Sequence, residues 1–495
     1  MQQAAPPHCL RHRVQKGNVY MTIAPQDGTV APPPPEPAAS PTPLYPDNRV
    51  KRHLSELFRL ALPVTIARLG MLIMSVVDTI VVGNYDSAGL AYLNVAHAPF
   101  TSLMVTGIGL LTGVMILTSH AKGREDWQEA GSVWRYAMPY TILIGLLFTF
   151  LTWQAEWLFV VTGQPDDIAT EAGHLAIILS IGMPAALIYT TCAFFLEGLQ
   201  RPLPGMIVMI IANLINLVLD YGLVYGAFGL PELGAEGAAW TSSVIRWTMA
   251  LILLGYVLVM KGYDLYGIRN GFAGWWHGSR DARHLGYAAG ASQGMETSAF
   301  AAMQLFAGRL GVIAAASYGI AMTMLALMFM VALGLASATS VRVGIAYGRR
   351  DRPDMALAGW IGLLTTMIVM FGLSIPLYLF PGGVSHLFTQ DINVIATTVS
   401  VLVLMPIIFP TDGGQNAAIS ALRGAGDKWA PTVLHLVSYI FVMIPAGYYL
   451  TFERDMGVRG LFWGIVIASL VAVCGLAIRF AIVSRRAIPA YVARS

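Results

Sequence analysis

Residues 204–226 read PGMIVMIIANLINLVLDYGLVYG, with Asp220 as the only carboxylate and no lysine or arginine. A helix of about 20 apolar residues, rising 1.5 Å each, crosses the hydrocarbon core of a bilayer. No water inside that core satisfies a bare N–H or C=O, so such a run must be helical. The composition carries this reading outward: of 495 residues 56% are apolar and 12% charged, about half the charged share of an average soluble domain. From Leu57 onward twelve spans follow, near 57–83, 93–119, 134–153, 172–196, 204–226, 237–260, 285–309, 317–342, 355–380, 394–419, 431–451 and 459–483.

A repeat lies within these spans. Shifting the chain by 225 residues lays Gly83 on Gly308, Ala91 on Ala316 and Ala96 on Ala321, then Gly123, Arg124 and Asp126 on Gly348, Arg349 and Asp351. A shift of 226 lays Leu196 and Gly198 on Leu422 and Gly424, and one residue more lays Pro204 on Pro431. One nearly constant offset from the first span to the fifth means duplication. The expected fold is an all-α polytopic membrane protein, with twelve transmembrane helices in two six-helix lobes related by an internal pseudo-two-fold repeat. Parallel repeats of this kind leave a cleft suited to alternating access.

The expected organisation is a disordered Pro-rich cytoplasmic tail over 1–50, an N-terminal lobe over 51–260, a cytoplasmic inter-lobe loop over 261–284, a C-terminal lobe over 285–484 and a cytoplasmic tail over 485–495. The first segment contains Pro32-Pro33-Pro34-Pro35 and has too little apolar surface to order itself. It lacks a signal-peptide core, and Met21 is an alternative start to Met1. Loops after even-numbered spans carry Lys122, Arg124, Arg201, Lys261, Arg269, Arg280, Arg283, Arg349, Arg350, Arg352, Arg423 and Lys428, against Arg309, Arg454 and Arg459 after odd ones. The positive-inside rule makes the even loops and both termini cytoplasmic.

The net charge of +3 forms no clustered, aromatic-interleaved patch, so no nucleic-acid partner is expected. Cys9, Cys192 and Cys474 give neither a disulfide framework nor a metal knuckle. No Walker loop, nucleophile elbow or HExxH occurs, so neither an enzyme nor a resident cofactor is expected.

Carboxylates within spans are costly in lipid and usually face a cavity. Four stand out: Asp78, Asp220, Glu296 and Asp412. Asp78 and Asp220 lie five to six residues from the outer ends of their spans, with Asn216 one turn from Asp220 and Ser242, beside Thr241, at similar depth. These oxygens form a hard-ligand set suited to Na⁺, and two close carboxylates equally share a proton. Glu296 and Asp412 come out near the midplane, placed to meet across the C-terminal lobe. Structural pairing with Arg68 or Arg246 would explain an acid in the N-terminal lobe but neither acid of the other. His97, His120 and His435 read as packed or interfacial histidines. Met322, Met324, Met328 and Met330 more often face lipid or packing than a drug pocket. Of the span prolines, Pro410 beside Asp412 is the most suggestive kink.

The stretches LALPVTIARLGMLIMSVVDTIVVG, EGLQRPLPG, NLINLVLDYGLVYGAFGLPELGAEGAAWTSS, METSAFAAMQLFAGRLG and DGGQNAAISALRGAGDKWAP resemble the multidrug and toxic compound extrusion family, most closely its NorM-like bacterial members. The resemblance covers Leu57 to about Arg479. It implies a two-lobed exporter of cationic amphipathic drugs or toxic organic cations, driven by Na⁺ or H⁺ entry. By position, Asp78 matches the family's acid in the first helix. Asn216 and Asp220 match a polar pair in the fifth, where many NorM relatives have Asn for Asp220. Ser242 stands where relatives often have Thr, and Glu296 and Asp412 match the C-lobe acids used for ion binding. Two positions depart from the pattern: Ala289 replaces a proline early in the seventh helix, and Ile408 replaces a tyrosine one turn before Asp412. Both candidate sites for Na⁺ or a proton are therefore present, and the coupling lobe is open.

The expected protein is a monomeric secondary antiporter in the bacterial inner membrane. The alternative within the superfamily is a lipid-linked saccharide flippase, which would want basic residues along its cleft to hold pyrophosphate; Arg68 and Arg246 are the candidates. A facilitator-type carrier would need a Gly- and Asp-rich basic motif that the stretch from His120 to Asp126 lacks. A channel or scaffold would have little use for acids in both lobes.

Overall fold

The computed structural model describes residues 49–488; most of the tail expected over 1–50, and the end of that expected over 485–495, lie outside the described residues. Twelve helices cross in sequence. The first six are α1 (Arg49–Tyr85), α2 (Ser87–Gly123), α3 (Trp127–Thr152), α4 (Asp166–Gly198), α5 (Leu203–Tyr225) and α6 (Ala235–Val259). The second six are α7 (Arg280–Arg309), α8 (Val312–Gly348), α9 (Arg352–Leu379), α10 (Ile392–Leu402 continued by Met405–Gly424), α11 (Ala430–Glu453) and α12 (Val458–Arg485).

Ten of these are long and apolar enough to span a membrane unaided, and α10 joins them as a broken span bent by 55°. The break falls between Leu402 and Met405, ahead of Pro406, whose ring and missing N–H cannot extend the preceding turn. The kink therefore precedes Pro410 rather than sitting at it. α7 is the twelfth helix and the least apolar, since Arg280, Asp281, Arg283, Gln293 and Glu296 all lie on it. Burial against α2 replaces the lipid contact that its composition forgoes.

Apolar rows face outward. On α3, Ile142, Leu143, Leu146, Leu147 and Phe150 are all exposed at helical spacing, and water cannot be their solvent over so broad a patch. The protein is a multi-pass membrane protein.

The duplication recurs in backbone detail. Asp126 caps α3 by accepting from Glu129 N (2.9 Å), and Asp351 caps α9 by accepting from Asp354 N (3.0 Å). Arg124 then pairs with Glu129 at 2.5 Å and Arg349 with Asp354 at 2.6 Å. Glu125 and Arg350 hold the same left-handed turn, φ 61° and 60°. In the second copy Asp354 also meets His53 (3.0 Å) and Arg52 (3.1 Å) of α1, tying the lobes together.

The lobes meet through glycines. A Cβ on Gly123 would strike the Ile345 carbonyl, and one on Gly348 would strike the His120 carbonyl. Under the 225-residue shift these contacts exchange, so the pseudo-two-fold axis runs between them. Ser119 against Gly344 lies across the same axis, and Gly334 against Thr65 mirrors Gly290 against Gly109. Small residues let helices approach this closely in lipid, where packing replaces the hydrophobic effect. All these contacts lie in the half of the bundle nearer the basic loops, and His120 Nε2 reaches Gly424 O there at 2.7 Å.

Candidate functional site

Between the lobes, in the half away from that seam, lies a cavity of about 810 Å³. Its wall is largely apolar and methionine-rich, with Met71, Met74, Met104, Met115, Met209 and Met249 from the first lobe. Of the four methionines singled out on α8, Met324 and Met330 line it, while Met322 and Met328 pack against the second lobe's core. The polarisable, unbranched thioether adapts to many shapes.

Asp78 of α1 is at the cavity wall yet only 2% exposed. Ser242 Oγ donates to its Oδ2 at 2.8 Å and Asn216 Nδ2 to its Oδ1 at 3.3 Å. Asp220 is fully buried beside Asp78, Asn216 and Thr241. Among the described residues neither of its carboxylate oxygens meets a donor in good hydrogen-bonding geometry, although Thr241 and Asn216 stand beside it, and Asn216 Oδ1 and Thr241 Oγ1 are likewise unmet. The structure brings Asp78, Asn216, Asp220 and Ser242 together, with Thr241 beside them. Buried acceptors without donors are what a bound cation or a proton would satisfy.

In the second lobe Glu296 and Asp412 are linked through two residues that the sequence reading missed. Tyr439 of α11 donates its phenol to Glu296 Oε1 at 2.9 Å. Gln415 Nε2 donates to Asp412 Oδ1 at 2.8 Å and to the Tyr439 hydroxyl at 2.6 Å. This phenol arrives from another helix, whereas Ile408, on the acid's own helix, is fully buried packing. Tyr439 lies on a π-helical stretch, Leu436–Met443, a widened turn common at functional sites. Pro445 inside an apolar run was its only signal. The pair does not itself line the central cavity: Ser292 and Asn416, each one helical turn from Glu296 and Asp412, do so instead.

Among the described residues the arginines form no close ion pair with these acids, though Asp78 acts on Arg246 at longer range. Arg68 pairs with Glu197 at 3.7 Å and lies over the Phe194 ring. Arg246 lies 4.5 Å over Phe100, its Nη1 without a partner. Among the described residues neither makes an ion pair with Asp78 or Asp220. Arg423, read from the sequence as a loop cation, lines the cavity as a third guanidinium.

Two lobes, each with a buried acid cluster, flank one cleft, and the comparisons now give that arrangement a family. The MatE family profile matches residues 63–222 and again 288–449, the second match starting 225 residues after the first. The chain belongs to the MatE family. A relative named "Probable multidrug resistance protein NorM" from Caulobacter vibrioides is 37% identical over 441 residues, 88% of this chain and 93% of the relative. One of the same name from Idiomarina loihiensis is 28% identical over 88% of this chain and 96% of its own. Among solved structures, the eukaryotic MATE transporter AtDTX14 superposes with a TM-score of 0.81 over 89% of this chain and 99% of its own, at 20% identity. That likeness shows the shared fold.

Proposed function

We propose that this MatE-family protein is a secondary active multidrug exporter, antiporting amphipathic cations against Na⁺ or H⁺ by alternating access. The observation that carries this is the acid cluster of each lobe, shielded from lipid and set at, or one helical turn behind, the wall of a single inter-lobe cavity. The names of the NorM relatives support the same reading. The membrane is the bacterial inner membrane, the basic loops and both termini are cytoplasmic, and the unit is a monomer.

Asp78 faces the cavity and attracts a cationic substrate. When Na⁺ or a proton occupies Asp78, Asp220, Asn216, Ser242 and Thr241, the attraction weakens and the substrate leaves. Glu296, Asp412, Tyr439 and Gln415 form the equivalent set in the other lobe. Ion and drug favour opposite-facing states only if their affinities differ between those states, and that difference is the coupling. Na⁺ is here a transported substrate. A saccharide flippase fits less well, because Arg68 is engaged by Glu197 and the wall is mostly apolar.

Ethidium efflux from cells tests the reading, comparing Glu296→Gln, Asp412→Asn and Asp78→Asn with imposed sodium or proton gradients. Loss of efflux in at least one lobe's variants is expected. Unchanged efflux in all three removes the mechanism.

A further inference from the structure

Where α1 enters the bundle at the basic-loop face, one imidazole stands between the lobes. His53 of α1 is fully buried, and Arg342 of α8 and Asp354 of α9 are 5% and 8% exposed. Arg342 donates from Nη1 to the His53 carbonyl and from Nη2 to the ring's Nδ1. On the other edge of the ring, Nε2 lies 3.0 Å from Asp354 Oδ1. A guanidinium donates and never accepts. Nδ1 is therefore the bare nitrogen, and the ring's one proton sits on Nε2 and is donated to Asp354. The imidazole held here is neutral.

The charged groups around it leave no place for a second proton. From the second lobe come Arg342, Asp354 and Arg349, the last 2.6 Å from Asp354 Oδ2. From α1 come Arg52, 3.1 Å from Asp354, and Glu56, 3.2 Å from Arg342. Lys122 of α2 acts on Glu56 at longer range. Three guanidiniums thus share two carboxylates. A proton on Nδ1 would add a further positive charge and point one donor at another. Under the 225-residue shift Arg342 falls on Leu117 and His53 on Gly278, so the shared fold of the lobes does not require this arrangement.

We propose that His53 is a proton-operated latch on the basic-loop face: neutral, it holds α1 to α8 and α9, and protonated, it lets the lobes part. The latch rests on the export reading above only in needing two states, and it is separate from the acid clusters inside the lobes. The proton need not enter the closed seam. It binds once α1 has left α8 and α9 and the ring meets water, and a ligand taken up only by the open state draws the population toward that state. An imidazole in water takes its proton at about pH 6.5. Closure is therefore fully supported above that pH and weakens below it. From about pH 8 to about pH 5.5 the open-to-closed ratio should rise about tenfold.

The test is the distance between spin labels at Arg201 and Trp429, exposed on the basic-loop face of the first and second lobes. It uses the full protein in phosphatidylcholine nanodiscs, with the native cysteines replaced. On acidification over that range the separated population should gain about tenfold on the closed one. His53→Gln, whose amide donates to Asp354 and accepts from Arg342 but takes no proton, should stay closed throughout. Arg342→Gln, whose amide can turn either edge to the ring, should flatten the response as well. No response to pH in the otherwise unaltered protein overturns the latch without any variant having to fold. An undiminished response in either variant overturns it too, and assigns the effect to His120 or the buried acids. Ethidium separates this from the export reading. Labels that move with ethidium but not with pH lose the latch alone, whereas labels that move with neither remove alternating access itself.

Discussion

Replacing Gly123 by alanine adds one methyl group where the backbones of the two lobes touch. That carbon would collide with the Ile345 carbonyl and stand 3.0 Å from Gly348 Cα. Neither obstacle is a side chain that can swing aside, so relief requires α2 and α8 to separate. Overpacking of this kind costs about 1–3 kcal/mol, and it penalises only the state closed at the basic-loop face. A value of about 2 kcal/mol shifts the balance between closed and open states by roughly thirtyfold. Gly348→Ala should act alike, because its carbon meets the His120 carbonyl across the same axis. The assay is maleimide labelling of a cysteine at Ser340, 1% exposed beside the seam, with the native cysteines replaced. Labelling should rise at least tenfold in Gly123→Ala. Unchanged labelling in a folded, monodisperse variant would show that this seam is not what closes the face.

Tyr439→Phe strips Glu296 Oε1 of its phenol donor and leaves Gln415 short of a partner. Stability in detergent should fall by about 1–3 kcal/mol, with efflux reduced, and an unshifted melting curve would count against the linkage. If sodium binds in the first lobe, raising it to tenfold its dissociation constant should stabilise the protein by about 1.4 kcal/mol. Asp220→Asn should abolish that thermal shift while Glu296→Gln keeps it; the reverse result moves the ion to the second lobe. Met330→Trp fills part of the cavity and should weaken ethidium binding about tenfold. Leu305→Trp, 71% exposed on the outer face of α7, should not, and equal effects would argue against the cavity as the drug site.

The fold was legible in the chain because membrane helices must satisfy their own backbone. Length and apolarity alone mark eleven of the twelve spans, and duplication leaves a constant offset between like residues. Even α7, too polar to pass such a test, was counted as the span near 285–309, and the offset lays it opposite α1. Asp78, Asn216, Asp220 and Ser242 could be grouped by depth, since 1.5 Å per residue converts sequence position into height in the bilayer.

Height is not azimuth, and azimuth is settled only when helices pack. Hence Tyr439 and Gln415 went unseen, although they are what link Glu296 to Asp412. Arg68 turned to Glu197, and Arg423 left the loop tally for the cavity wall. The glycine seam belongs to the same class. Each glycine is visible in the sequence, but only the approach of two backbones related by a pseudo-two-fold axis shows which of them cannot carry a side chain.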